Sequence, residues 1–218
     1  MEKRKRWFDK ARRIWREKGI FGLLRTGFLI LFQAFFESNS AIWFERDLSQ
    51  PIKKFEAKIP LTFVSDSPQR GLAWFRSFEL SYLVHPKEIQ TGIEEKHYFF
   101  YVHKNDGEIV GGRWVGYGKV YIGDFEGVVN FPEGIAFNYN VYVPPAMRGL
   151  GIASYLISCS ILFLKHKGYK KVMCHIPKWN KASIKAVTRC GFKEIKYVRF
   201  FRLFSFKFTV PSLNKIIK

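Results

Sequence analysis

Cysteine is scarce in this chain, and what there is does not cluster. The three cysteines among 218 residues, Cys159, Cys174 and Cys190, are an odd number on predicted core faces. That argues against a disulfide framework and for a reducing compartment. None has metal-ligand spacing, so no metal is expected. No repeat of about 20 to 50 residues is present, which removes solenoids and propellers. A dinucleotide fingerprint is missing, and so is the Lys-Ser or Lys-Thr that closes a nucleoside-triphosphate loop. Helix-turn-helix, zinc and single-strand recognition signatures are missing as well. Acidic residues are few, 18 against 37 Lys and Arg, leaving a net charge of +19.

That charge is concentrated at the ends. Residues 1–20 hold nine Lys or Arg against Glu2, Asp9 and Glu17, and residues 193–218 hold seven against Glu194. In the first piece Trp7, Phe8, Ala11, Ile14 and Trp15 share one helical face, and Arg4, Arg6, Arg12, Arg13 and Arg16 fill much of the remainder. An apolar run from Ile20 to Phe36 follows, interrupted by Arg25, Thr26 and Gln33. A spanning helix needs about 20 mostly apolar residues, and an Arg near its middle costs a few kcal/mol, so in-plane insertion is the cheaper arrangement. A signal peptide would need a shorter basic start and an Ala-x-Ala site, where this chain has Glu37-Ser38-Asn39-Ser40. Residues 1–48 are therefore expected to be a basic amphipathic helical segment on an anionic membrane surface, with each surface-proximal basic residue contributing roughly 1 kcal/mol. Nucleic acid is the other polyanion to weigh, but it gives the apolar run no role.

Further on, the run Val141-Tyr142-Val143-Pro144-Pro145 leads into Arg148-Gly149-Leu150-Gly151-Ile152-Ala153 and then a helix from near Ser154, with Ile152, Leu156, Cys159 and Phe163 on one stripe. The two glycines remove Cβ bulk where a backbone must approach an anion. The first helical turn points unsatisfied N–H groups and the positive dipole end at the same place. This is a cradle for a pyrophosphate. Lys165-His166-Lys167-Gly168 ends the helix, a strand pattern covers Val172 to Ile176, and a second helix opens at Asn180-Lys181-Ala182-Ser183 and stops at Cys190-Gly191-Phe192. Asn180 also reads as a plain helix N-cap.

Val-x-Pro, then Arg-x-x-Gly-x-Ala, then Asn180, Ser183 and Gly191-Phe192 at their spacings, resembles the acetyl-CoA-binding segment of the GCN5-related N-acetyltransferases (GNAT). The motifs cover about residues 141–192. The resemblance implies an α/β fold, a GNAT-like mixed, mostly antiparallel sheet of six to seven strands with helices on both faces; the basic amphipathic N-terminal helical segment precedes it and is not explained by the resemblance. Upstream patterns fit that order: a strand at Lys58–Val64, a helix at Gln69–Leu80, strands at His97–His103 and Glu108–Tyr117 joined by Lys104-Asn105-Asp106-Gly107, and a strand at Gly134–Val143. Glycines 111, 112, 116 and 118 suggest bulges or close approach. The expected division is 1–48 membrane segment, 57–208 acyltransferase domain and 209–218 basic tail. Alternation of Phe204, Phe206 and Phe208 with polar residues suggests a final strand.

The implied chemistry is transfer of an acyl group, acetyl in the first instance, from CoA to an amine. By resemblance, backbone groups of Val141, Tyr142 and Val143 would hold the pantetheine. Backbone N–H groups of Gly149, Leu150, Gly151, Ile152, Ala153 and Ser154 would take the pyrophosphate, with Arg148 adding charge. Candidate catalytic groups are His175, Glu133 and Tyr139, with Tyr197 as a further hydroxyl. Glu133 also reads as a solvated turn residue and His175 as a satisfied strand histidine. One position departs from the pattern: many of these enzymes carry a Tyr that protonates the departing thiolate where this chain has Val187. That departure leaves open a non-catalytic, membrane-tethered acyl-CoA-binding protein, and the basic surface leaves open an enzyme taking its acyl group from acyl carrier protein or aminoacyl-tRNA. The expected acceptor is an amino sugar or a lipid-linked amine.

Overall fold

The computed structural model describes residues 36–77, 85–203, 206–212 and 216. The chain divides into two compact units, the larger made of residues 40–199 with 209–218, the smaller of 1–39 with 200–208. Within the larger unit the strand order is β9-β1-β8-β7-β4-β3-β2. The strands are β1 (Phe36–Asp47), β2 (Thr62–Asp66), β3 (Tyr98–His103), β4 (Ile109–Tyr117), β7 (Ile135–Tyr142), β8 (Lys171–Pro177) and β9 (Lys193–Leu203). A separate two-stranded hairpin joins β5 (Lys119–Ile122) to β6 (Gly127–Asn130). Four helices are described: α1 (Pro68–Ser77), α2 (Pro86–Glu94), α3 (Ile152–His166) and α4 (Lys181–Arg189). In the smaller unit the rings of Phe201 and Phe208 stack at 5.2 Å, Phe208 lying on β10 (Phe206–Val210), the final strand that the Phe alternation suggests.

The sheet is mostly antiparallel, with β7 and β8 its parallel pair. That pair needs a crossover, and α3 supplies it. Helices lie on both faces. A Cβ on Gly92 of α2 would meet Trp114 at 2.8 Å and the Tyr139 hydroxyl at 2.9 Å, so α2 can approach β4 and β7 only because residue 92 has no side chain. On the opposite face a Cβ on Gly111 would meet Ile152 of α3 at 2.9 Å. The main core lies on this second face, with Phe100, Val115, Ala136 and Val172 from the strands and Leu156, Ile161 and Val187 from the helices.

Three differences from the sequence reading have physical causes. Residues 36–47 form β1, whose Ala41–Asp47 stretch pairs antiparallel with β8. Trp43 and Phe44 are both buried, on opposite faces, so this part of the expected helical segment is an interior strand; residues 1–35 lie outside the described residues. Helix α2 replaces an unassigned stretch and is capped by a histidine: His85 Nδ1 accepts from Lys87 N at 3.2 Å, while Glu88 returns a carboxylate oxygen to His85 N at 3.3 Å. The first strand starts later than expected, at Thr62, because residues 48–61 run as a strap beside α3. Phe55 N donates to Ser158 Oγ, Lys58 N to Leu150 O and Tyr155 Oη to Leu61 O. Among the described residues no helix is long and apolar enough to cross a membrane.

Candidate active site

The parallel ladder of β7 and β8 runs from Ile135–Lys171 to Asn138–Cys174 and stops there. Past that pair β7 also carries an extra residue: Gly112 faces Tyr142 and Trp114 faces Tyr139, so Asn140 and Val141 of β7 oppose the single Arg113 of β4. Asn140 makes the bulge with φ of +49°, a conformation that Asn tolerates better than most residues. Tyr139–Val143 and His175–Pro177 therefore lie beyond the last register pair of the two strands, a gap in the ladder whose backbone groups an extended ligand could pair with.

The cradle opens on the α3 face of that gap. Gly149 and Gly151 both have φ of +80°, and Gly151 is the N-cap of α3 without a side chain to occupy the first-turn N–H groups. A Cβ at Gly149 would meet nothing within 4 Å, whereas one at Gly151 would sit 3.4 Å from Glu56 O of the strap. Arg148 is held by its own Nε–H bond to Val143 O at 3.2 Å, which ties the cradle to the strand end. The strap, carrying Lys54 and Lys58, lines with Tyr155 an open groove of about 490 Å³ beside this turn. Asn180 is the N-cap of α4, its Oδ1 accepting from Ser183 N at 3.1 Å, so the cap reading holds for both. Glycines at the N-cap, bare N–H groups and a strand edge that stops pairing fit a pyrophosphate joined to an extended arm.

The opposite face holds a polar cluster. His175 Nε2 lies 2.8 Å from Asp124 Oδ2. A carboxylate can only accept here, so Nε2 carries a proton, and in the neutral ring Nδ1 is the nitrogen with the lone pair; Nδ1 is buried without a hydrogen-bond partner. The ring is stacked against Phe137, nearly parallel at 5.6 Å between centroids, and lies against Phe125 and Trp43. Asp124 is held below the usual carboxylate range by the His175 hydrogen bond. Next to this pair, Glu88 is buried and its carboxyl is pushed up by desolvation, against the bonds it accepts from Asn140 Nδ2 at 3.0 Å and Gly123 N at 2.6 Å. Glu88 thereby fastens the bulge residue Asn140 to helix α2.

Tyr139 faces the same side, but its proton is committed. His97 Nε2 lies 3.1 Å from Lys119 O, a carbonyl that can only accept, so Nδ1 accepts the Tyr139 hydroxyl at 2.9 Å. Burial pushes the Tyr139 phenol well above its ordinary value and the His97 imidazole below its own. Glu133 stands exposed in the turn before β7, at the end of the strand away from the gap, and the structure does not bring it to the other candidates. Tyr197 lies on β9, its phenol lowered by a hydrogen bond to Ser40. Val187 is buried in the core. Glu88 and Asp124 were missed by sequence reasoning. Pro86 and Glu88 at the first and third helical positions are a capping-box signal for the one, and Gly123-Asp124-Phe125-Glu126-Gly127 is a turn signal for the other.

The model for the acetyltransferase (GNAT) family matches residues 70–192, more than half of the chain. The chain belongs to the GNAT acetyltransferase family. Among solved structures it is similar to a Drosophila protein from structural genomics, with TM-score 0.55 and 12% identity, over 84% of this chain and 58% of that one. It is also similar to a GNAT-family protein from Novosphingobium aromaticivorans, with TM-score 0.51 and 15% identity, over 78% and 66%. A third is the GCN5-related glucosamine N-acetyltransferase region of a fungal multi-domain β-N-acetylglucosaminidase, with TM-score 0.53 and 14% identity, over 82% and 23%. At these identities the likeness shows the fold, and this GNAT chain spans 58%, 66% and 23% of those chains. No curated protein matches it by sequence.

Proposed function

We propose that this GNAT protein transfers an acyl group, acetyl in the simplest case, from CoA to a primary amine, and that it works at the cytoplasmic face of an anionic membrane. One observation carries the chemistry: the β7–β8 gap has an anion cradle on one face and the carboxylate-oriented His175 on the other. The neutral amine attacks the thioester carbon, the C–N bond forms and the C–S bond breaks. The amine proton passes to His175 Nδ1, directly or through a water. A backbone N–H on the bulged strand faces the carbonyl oxygen as it gains charge. With Val187 where a Tyr hydroxyl would stand, the thiolate takes its proton from His175 or from water. The basic, aromatic first 35 residues favour a membrane-borne acceptor, an amino sugar or a lipid-linked amine, since an interfacial anchor concentrates an enzyme beside such substrates.

The test is thiol release from acetyl-CoA with the full-length protein, over soluble and lipid-linked amines, with and without anionic vesicles. Turnover raised by vesicles with a lipid-linked amine is the expected result. Acetyl-CoA binding without turnover on any amine would instead favour the non-catalytic reading that Val187 motivates. Acetyl transfer to soluble amines alone, indifferent to vesicles, would overturn the acceptor and the membrane location.

A further inference from the structure

Arg113 of β4 is fully buried, and its Nε, Nη1 and Nη2 have no hydrogen-bond partner. Residues alternate across a strand, and a Cβ on Gly112 would point at Trp74 and Phe99 while one on Gly111 would point at Ile152. Arg113 therefore shares the α3 face with Gly111 and Val115. Its charge acts on the thiols of Cys174 and Cys190, against the burial that pushes them up to about 12 and about 11. Cys174 is the register partner of Asn138 in the last pair of the β7–β8 ladder, and Cys190 Sγ reaches Ser154 O in the first turn of α3 at 3.5 Å. These neighbours put the guanidinium on the α3 face, near the last pair of the β7–β8 ladder and the first turn of α3. Asn138 is buried there too, with Oδ1 unpartnered.

A buried cation without a counter-charge is a large penalty that a methionine of similar volume would avoid. Burial lowers the Arg113 pKa only to about 10, so the group stays charged near neutrality. The planar fork of a guanidinium matches a carboxylate bidentately. Resting on the CoA-donor reading above, we infer that Arg113 binds a carboxylate at the far end of the acyl group, so that the donor is a dicarboxylic acyl-CoA. An acyl chain entering the gap from the cradle side ends at Arg113, and the carboxylate supplies the missing counter-charge. Acetyl is too short and too apolar to do so.

Calorimetric titration of the full-length protein with succinyl-CoA and butyryl-CoA, which match in length and differ in the carboxylate, tests this. A charge-assisted bidentate contact gives succinyl-CoA a preference of about tenfold or more, and Arg113→Met erases the difference between the two donors. Equal binding of both by the wild type overturns the inference and leaves the CoA-donor reading standing. Binding of neither, nor of acetyl-CoA, overturns the CoA-donor reading and the inference with it. The wild-type comparison needs no variant, so it decides even if Arg113→Met fails to fold.

Discussion

His175 and Glu88 lie in one cluster but have separable roles. Among the described residues of this cluster His175 is the ring oriented by a carboxylate on one side and unpartnered on the other, which is what the proposed role of proton acceptor requires. His175→Asn should lower kcat by about 10² to 10⁴ while the KM for the acyl donor stays close to wild type, because the cradle proposed for the donor is on the other face. A single-turnover assay against a donor titration separates these two quantities. Glu88 acts through others: it accepts from His85 N, Gly123 N and Asn140 Nδ2. Glu88→Ala strands those donors at about 1–3 kcal/mol for each one left buried and unpaired. The pH dependence has a definite sign. Its folded pKa lies above the unfolded value, so the folded state holds the proton more tightly, and the stability this contributes declines as pH rises through the folded pKa. The loss in Glu88→Ala should therefore be larger at about pH 5 than at about pH 8 by urea unfolding. A pH-independent loss would show that the carboxyl does not titrate abnormally.

At the scale of elements, the strap over α3 connects stability to the proposed donor cradle. Ser158 is fully buried; it donates to Tyr155 O and accepts from Phe55 N, while the Arg189 guanidinium lies 4.7 Å from the Phe55 ring centroid. Ser158→Ala leaves Phe55 N without its partner and should cost about 1–3 kcal/mol. It should also weaken acyl-CoA binding, since the strap backbone touches the cradle at Gly151 and Leu150. Unchanged affinity with lowered stability would show that the strap only covers the core. The strap also shows what sequence can reveal. The cradle, α3 and α4 were legible because their signals are local: glycines at positive φ, an Asn cap and basic residues in a last turn. The strap and β1 are defined by partners about 90 or more residues away in sequence, such as Lys58 with Leu150, Phe55 with Ser158 and Trp43 with His175. Helix α2 was hidden because its capping residue is a histidine and its packing face contains Gly92. Arg113 reads in sequence as one basic residue among many, and its isolation appears only once Cys174, Cys190 and Asn138 surround it.

For the whole molecule, β1 decides where the N-terminal segment can be separated from the catalytic fold. A boundary at residue 48, natural from hydropathy, removes Ala41, Trp43, Phe44 and Leu48, all buried, and takes an interior strand from beside β8. Losing even one large core side chain costs about 3–5 kcal/mol, comparable to the whole stability of many domains. A chain lacking residues 1–48 should therefore fail to fold, whereas one lacking residues 1–35 keeps the strand and should melt cooperatively and bind acyl-CoA. That pair of truncations gives a clean membrane test. The first 20 residues carry nine Lys or Arg, so the full-length chain should float with anionic vesicles near 0.1 M salt, where the Debye length is about 10 Å. At about 1 M salt the electrostatic part is screened, and what floats reports apolar insertion by the run from Ile20 to Phe36. The 36–218 chain should stay in solution at both salts. If it floats as well as the full-length protein, the basic C-terminal residues hold the membrane, and the first 35 residues need another role.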